Sequence, residues 1–201
     1  MMAKAYFVFN ADQVDGIEKA EPTQDEIRTN MVDVLAEVDS FMLRTKADIR
    51  TGMAQAFYNP NGDYINMPER DLFTGSETSS PTETYYSTLC HELTHWTGHA
   101  KRLDRLGTCK KGEYAFEELV AELGAAFLCA DLGIASLPRP DHAAYIASWL
   151  KALKNDSKFI FQAASQAQKA LDYVQMIATD GAIDMVDLHN ENEIEPMACA
   201  A

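Results

Sequence analysis

Apolar residues recur at helical spacing between Gln24 and Thr45, at Ile27, Met31, Val34, Leu35, Val38, Phe41 and Met42, and predict an amphipathic helix over 24–45. Before it, Ala5-Tyr6-Phe7-Val8-Phe9 is a short β-prone run closed by Asn10, and the polar residues 11–23 read as a linker. Beyond it, two extended runs, 54–58 and 64–67, flank Asn59-Pro60-Asn61-Gly62-Asp63, whose turn chemistry predicts a hairpin. Pro68 bars further strand pairing, and a polar segment leads into a helix that begins near Pro81 and stops at Gly98. The loop from Lys101 to Gly112, rich in Lys and Arg, reads as a solvated connection.

A second helix is expected from about Tyr114 to Leu132, ended by Gly133 and the Pro138-Arg139-Pro140 segment. Asp141 can cap a third helix through Leu153, and a fourth spans roughly 157–177. From Asp180 on, the chain turns acidic and weakly periodic, which reads as a frayed tail over 179–201. A small sheet first and helices after argues for α+β, in one domain over 1–201 with its core at about 5–178.

Composition narrows the function classes. Hydrophobic residues make up 47% and charged residues 24% of the 201, the balance of a folded globular protein. No apolar run approaches the ~20 residues that span a bilayer, and no signal core opens the chain, so a cytoplasmic location and no membrane partner are expected. The cysteines Cys90, Cys109, Cys129 and Cys199 form no CxxC pair and read as reduced and structural. A net charge of −14, with 31 acids against 17 bases, argues against DNA binding by this chain alone.

The chemistry lies in His91-Glu92-Leu93-Thr94-His95. Residues four apart on a helix differ by ~40° around its axis, so His91 and His95 can ligate one metal ion. Glu92, rotated by ~100°, can reach a metal-bound water as general base without being a ligand. On the same wheel Tyr85, Tyr86, Leu89, Leu93 and Trp96 fall in an arc of ~120–220°, opposite the two histidines. Core histidines would share that stripe; these two point away from it.

A hydrolytic zinc site needs a third protein ligand and an open position for water. His99 continues the i, i+4 series, but three such positions climb ~12 Å along a straight helix, so it suits an outer-shell or capping role better. Glu118 is the better candidate. Glu122 lies ~40° from it with Ala121 and Ala125 beside, while Phe116, Val120, Leu123 and Phe127 take the opposite face. Small neighbours let this helix approach the histidine helix closely, with Glu118 as ligand and Glu122 supporting a histidine ring. Zinc is the expected ion; imidazole and carboxylate donors also suit manganese, cobalt or iron. Tyr85, Tyr114, His142 and Tyr145 are unranked candidates for an oxyanion donor. The strand 64–67 is a possible edge for an extended peptide substrate, with ordinary pairing inside the sheet as the other reading.

Residues 85–99, Tyr-Tyr-Ser-Thr-Leu-Cys-His-Glu-Leu-Thr-His-Trp-Thr-Gly-His, resemble the metallopeptidase domain of ArdC-like antirestriction proteins. The resemblance continues through 117–128 and 142–151, takes in 47–50 and 56–58, and spans about Tyr6 to Val174. It implies a zincin-like fold of gluzincin type with His91, His95 and Glu118 as ligands, and a source among plasmids or phages that evade restriction. ArdC-like proteins also carry an N-terminal domain that binds single-stranded DNA, and this chain starts at the strand that would follow it.

Two functions are therefore weighed. One is a zinc peptidase acting on a protein or peptide substrate. The other is a non-catalytic antirestriction or interaction module, in which the metal is structural and the acidic surface occupies a DNA-binding partner.

Overall fold

A computed structural model describes residues 31–75, 79–106, 114–134 and 158–190. Helix α1 (Ala36–Arg44) precedes strands β1 (Ile49–Thr51), β2 (Phe57–Asn59) and β3 (Tyr64–Met67). A 3-10 turn (Arg70–Leu72) leads to α2 (Pro81–Thr97), followed by α3 (Tyr114–Asp131) and α4 (Lys158–Asn190). The architecture is α+β, a small sheet followed by helices.

The hairpin forms as its turn chemistry predicts, with Phe57 opposite Asn66 and Asn59 opposite Tyr64. Asn59 Oδ1 accepts the N–H groups of Asn61 and Gly62, which closes the turn, and Asp63 takes a positive φ of 54°. Strand β1 joins on the other side, parallel to β3, giving the order β1-β3-β2. Of the two readings of strand 64–67, ordinary pairing inside the sheet holds: it is bonded on both flanks and offers no edge. Among the described residues, the edge on the hairpin side belongs to β2. Ile65 and Met67, fully buried, carry the sheet's apolar face into the core.

Helix α1 is shorter than its periodicity predicts. Residues 31–35 are not helical, and 24–30 lie outside the described residues. The Asp33 N–H donates to Thr82 Oγ1 and the Leu35 N–H to the Tyr86 hydroxyl, so side chains of α2 satisfy the backbone that a longer helix would have used. Met31 and Val34 are accordingly exposed.

Helix α2 starts where the sequence places it. Ser80 and Glu83 close a capping box, with Pro81 at the first turn. Gly98 ends it without entering the left-handed region; a Cβ there would sit 3.1 Å from both an Arg105 guanidinium nitrogen and Leu106 Cγ, so the glycine makes room for the returning loop.

In the described part of that loop, 101–106, Arg102 and Arg105 turn inward, with side chains 8% and 6% exposed, against the solvated connection that their charge suggests; 107–112 lie outside the described residues. Helix α4 also departs from expectation. It runs to Asn190, so the stretch taken for a frayed tail is helical that far, a lone Gly181 costing only ~1 kcal/mol against continuation.

The core joins α1, the sheet, α2 and the far halves of α3 and α4 through Phe41, Ile65, Tyr86, Leu93, Leu128 and Val174. A second cluster packs Phe116, Val120, Leu123 and Phe127 of α3 on Phe159, Ala163 and Ala167 of α4. Cys90 and Cys129 are buried and not disulfide-bonded. The expected strand 5–9, the third helix at 141–153, Cys109 and Cys199 lie outside the described residues. No described helix is long and apolar enough to cross a membrane.

Candidate metal centre

Helices α2 and α3 are pressed together at one point. A Cβ on Gly124 would lie 2.5 Å from Thr94 Cγ2, so only glycine permits this approach, and Ala121 and Ala125 are buried beside it. Close packing here, with Phe116, Val120 and Leu123 committed to α4, leaves Glu118 facing the histidine side of α2.

The result is a convergent donor set. His91 Nε2 and His95 Nε2 are 3.2 Å apart. Glu118 places Oε2 3.6 Å from His91 Nε2 and Oε1 3.4 Å from His95 Nε2. Among the described residues these three form the one group whose ligand atoms lie within 4.8 Å of one another. A tetrahedral ion with bonds of about 2.0–2.2 Å separates its ligand atoms by roughly 3.3–3.6 Å, so the residues present fit a divalent ion. Protonated His95 can donate to Glu117 and Glu118; a cation held between His91, His95 and Glu118 would instead serve all three ligand atoms.

The other ring nitrogens are held by carboxylates. His91 Nδ1 lies 3.5 Å from Glu122 Oε1, and His95 Nδ1 lies 3.3 Å from Glu117 Oε1. Glu117 is buried and gripped by Arg105, whose Nε and Nη2 donate to Oε2 and Oε1 at 3.1 and 3.0 Å. Burial alone would raise the Glu117 pKa, but hydrogen bonds from His95 and Arg105 prevail and lower it. Burial alone would lower the His95 pKa, but hydrogen bonds to Glu117 and Glu118 raise it to about 9.

Glu92 points elsewhere from the same helix. It is 8% exposed, and burial raises its pKa against the opposing pull of His91 and His95. Its carboxylate accepts the backbone N–H of Tyr58 in β2. Ile65 turns its own N–H to Asp48 in the parallel direction, so its partner Tyr58 directs its N–H and carbonyl away from β3. Among the described residues, the outer edge of β2 therefore runs beside Glu92.

His99 is not with this cluster. It sits past the end of α2, with Nδ1 accepting the Lys101 N–H at 3.1 Å and lying 3.9 Å from Asp63 Oδ2. The outer-shell role expected for it falls instead to Glu117, which adjoins Glu118 in sequence and to which the sequence reading assigns no part. Adjacent carboxylates on one helix turn were the available signal. Arg105 had none, since only the path of the loop brings it inward. Of the oxyanion candidates, Tyr85 is buried in the core with its ring edge-on to Phe73 and Tyr86, while the Tyr114 side chain, His142 and Tyr145 lie outside the described residues.

The chain is similar to several known proteins. The chain is 39% identical over 183 residues to an uncharacterized protein, y4eC, of Sinorhizobium fredii, covering 90% of this chain and 56% of that one. It is 40% identical over 171 residues to the DNA primase TraC of Escherichia coli, covering 83% of this chain and 11% of that one. The chain thus spans about half the length of the first relative and about a tenth of the second. Among solved structures, it resembles the antirestriction protein ArdC from plasmid R388. The Mn(II)-bound form gives 46% identity and a TM-score of 0.58, covering 86% of this chain and 62% of that one. The metal-free form gives 47% identity and a TM-score of 0.62 at 86% and 60% coverage. Residues 36–166, most of this chain, match the zincin-like metallopeptidase family, and the chain belongs to it.

Proposed function

We propose that this chain is the zinc-dependent peptidase domain of an ArdC-like antirestriction protein, with His91, His95 and Glu118 as metal ligands and Glu92 as general base. The observation that carries the reading is the convergence of two Nε2 atoms and the Glu118 carboxylate at 3.2–3.6 Å, next to a buried glutamate that is not part of the donor set. Two imidazoles and one carboxylate suit zinc in a hydrolytic site, and the same donors accept manganese, the ion of the related ArdC structure.

A bound divalent ion would supply Lewis acidity, easing deprotonation of water and polarising the scissile carbonyl. The chain's own residues do the rest. Glu92, with its pKa raised by burial and its orientation fixed by the Tyr58 N–H, takes the proton from the attacking water and gives it to the leaving amine. Among the described residues β2 is the sheet edge on the Glu92 side, and an extended peptide lying along it as a further strand would bring its backbone past Glu92. The net charge of −14 gives no support to nucleic acid as the substrate of this chain.

The same charge is what a non-catalytic module would present to a basic partner, and one variant separates the two functions. Glu92→Gln should keep full metal content while turnover of a cleaved protein falls about 10²–10⁴-fold. The readout is protection of incoming DNA in a restricting host, together with an unbiased search for proteins cleaved only when Glu92 is intact. Full protection by the Glu92→Gln variant would remove the catalytic reading and leave the interaction module.

A further inference from the structure

The two histidines of the centre are not supported alike. Glu122, which faces His91 Nδ1, is 21% exposed, whereas Glu117, which faces His95 Nδ1, is 3% exposed. Behind Glu117 stands a guanidinium that is itself 6% exposed. Arg105 engages both carboxylate oxygens in the bidentate geometry that only arginine offers. Its remaining donors reach Thr97 Oγ1 at 2.9 Å and the Thr94 carbonyl at 2.7 Å. One side chain therefore ties the last turn of α2 to the first turn of α3, the two segments that hold His95 and Glu118.

Fold stability is a poor explanation for this arrangement. A buried ion pair rarely stabilises more than an apolar pair of the same volume would, because both charges must first leave water. What an apolar pair could not do is orient an imidazole. With its carboxylate fixed on both oxygens by Arg105, Glu117 accepts from Nδ1–H, and that leaves the Nε2 lone pair of His95 aimed at Glu118 and His91.

Resting on the metal-site reading above, we propose that Arg105 is a positioning residue of the metal centre: through Glu117 it fixes the ring and tautomer of His95, and so sets metal affinity without touching the ion. The centre then has one rigid histidine, His95, and one more adaptable histidine, His91.

The test is Zn²⁺ affinity of the full chain, measured by competition with a chelating dye below the melting temperature of each variant. Near-ultraviolet circular dichroism serves as the check on folding. Arg105→Met and Glu117→Gln should each bind Zn²⁺ about 10–100-fold more weakly than wild type. Arg105→Lys should recover part of the loss, since it restores charge without the bidentate grip. The visible absorption of the Co²⁺-loaded protein should shift in Arg105→Met, a change that a merely structural role would not produce. Folded Arg105→Met with wild-type Zn²⁺ affinity and an unshifted Co²⁺ spectrum would overturn the proposal. Should Arg105→Met not fold, Glu117→Gln decides: it keeps the side-chain shape and an acceptor for Nδ1–H, and unchanged affinity there overturns the proposal equally. Wild-type chain that binds no Zn²⁺ would instead overturn the metal-site reading itself.

Discussion

One loop, the chain just past α2, supplies an arginine to each of two ionic clusters, and the two clusters differ in kind. Arg102 donates to Asp63, to the Tyr58 hydroxyl and to the Trp96 carbonyl, and its guanidinium lies 3.9 Å from the centre of the Trp96 ring. Tyr58 in turn donates to Asp63 at 2.9 Å. Every one of these contacts sets a donor against an acceptor, so the cluster is complete and acts as a clamp holding the hairpin turn to the end of α2. Arg105 serves a cluster of the other kind, in which His91 Nε2, His95 Nε2 and the Glu118 carboxylate turn metal-ligating atoms toward one point. The first arrangement is complete by itself, whereas the second is suited to hold a cation.

The largest effect that would break this contrast is at the site. His95→Ala should weaken Zn²⁺ binding about a hundredfold to a thousandfold, since a total of about 10–16 kcal/mol shared over four coordination positions leaves about 2.5–4 kcal/mol for each. Its metal-free melting temperature should change far less, and titration calorimetry with a parallel thermal melt reads both numbers. A large loss of metal-free stability with affinity intact would reverse the roles given to the two clusters.

Arg102→Met addresses the other cluster. It leaves Asp63 without its main partner and should cost about 1–3 kcal/mol of stability in chemical denaturation, with Zn²⁺ affinity within a few-fold of wild type. Should affinity fall as far as in His95→Ala, the clamp would have to be counted as part of the centre.

The smallest effect concerns pH. Hydrogen bonds from Arg102, opposed by partial burial, hold the Asp63 carboxyl well below its ordinary range, with the Tyr58 hydroxyl adding to the effect. A carboxylate depressed in the folded state contributes stability that is fully present above its unfolded pKa of about 3.9 and is lost as pH falls toward the folded value. Asp63→Asn should therefore flatten the decline of stability below about pH 4 while leaving the slope between about pH 5 and 7 unchanged. Metal-free protein followed by fluorescence against pH checks this, and an acid limb identical to wild type would show that Asp63 is not linked to folding.

The clamp also explains why an edge strand runs beside Glu92. Tyr58 has its hydroxyl in the clamp and its backbone N–H on the Glu92 carboxylate, so the hairpin is fixed at both ends of one residue. From the sequence, Asn59-Pro60-Asn61-Gly62-Asp63 was legible as a turn, because Asn and Gly have local conformational preferences that do not depend on the rest of the fold. Which strand would be the edge was not legible, since β1 contributes only three residues with too little alternation to read, and it is this strand that takes the far side of β3.

Much of the centre was written locally. His91, Glu92 and His95 lie on one helix whose period fixes their relative angles, and the apolar stripe of Tyr85, Leu89, Leu93 and Trp96 fixes which way that helix faces. The same logic put Glu118 and Glu122 on one side of α3, away from the side chains that pack on α4. Helical periodicity is a one-dimensional property, so the sequence alone could determine these faces, the element order and the α+β class.

The tertiary structure decided what depends on separations the chain cannot encode locally. The close approach at Gly124, where an added Cβ would lie 2.5 Å from Thr94 Cγ2, brings two helices into register, so that Glu118 meets both histidines. The return of a basic loop buries Arg105 against Glu117 and Arg102 against Asp63, and it leaves His99 at the clamp rather than at the centre. A charged loop reads as solvated because isolated charges prefer water; its Arg102 and Arg105 side chains turn inward here because carboxylates from a hairpin and a helix, 39 and 12 residues away, are in place to receive them.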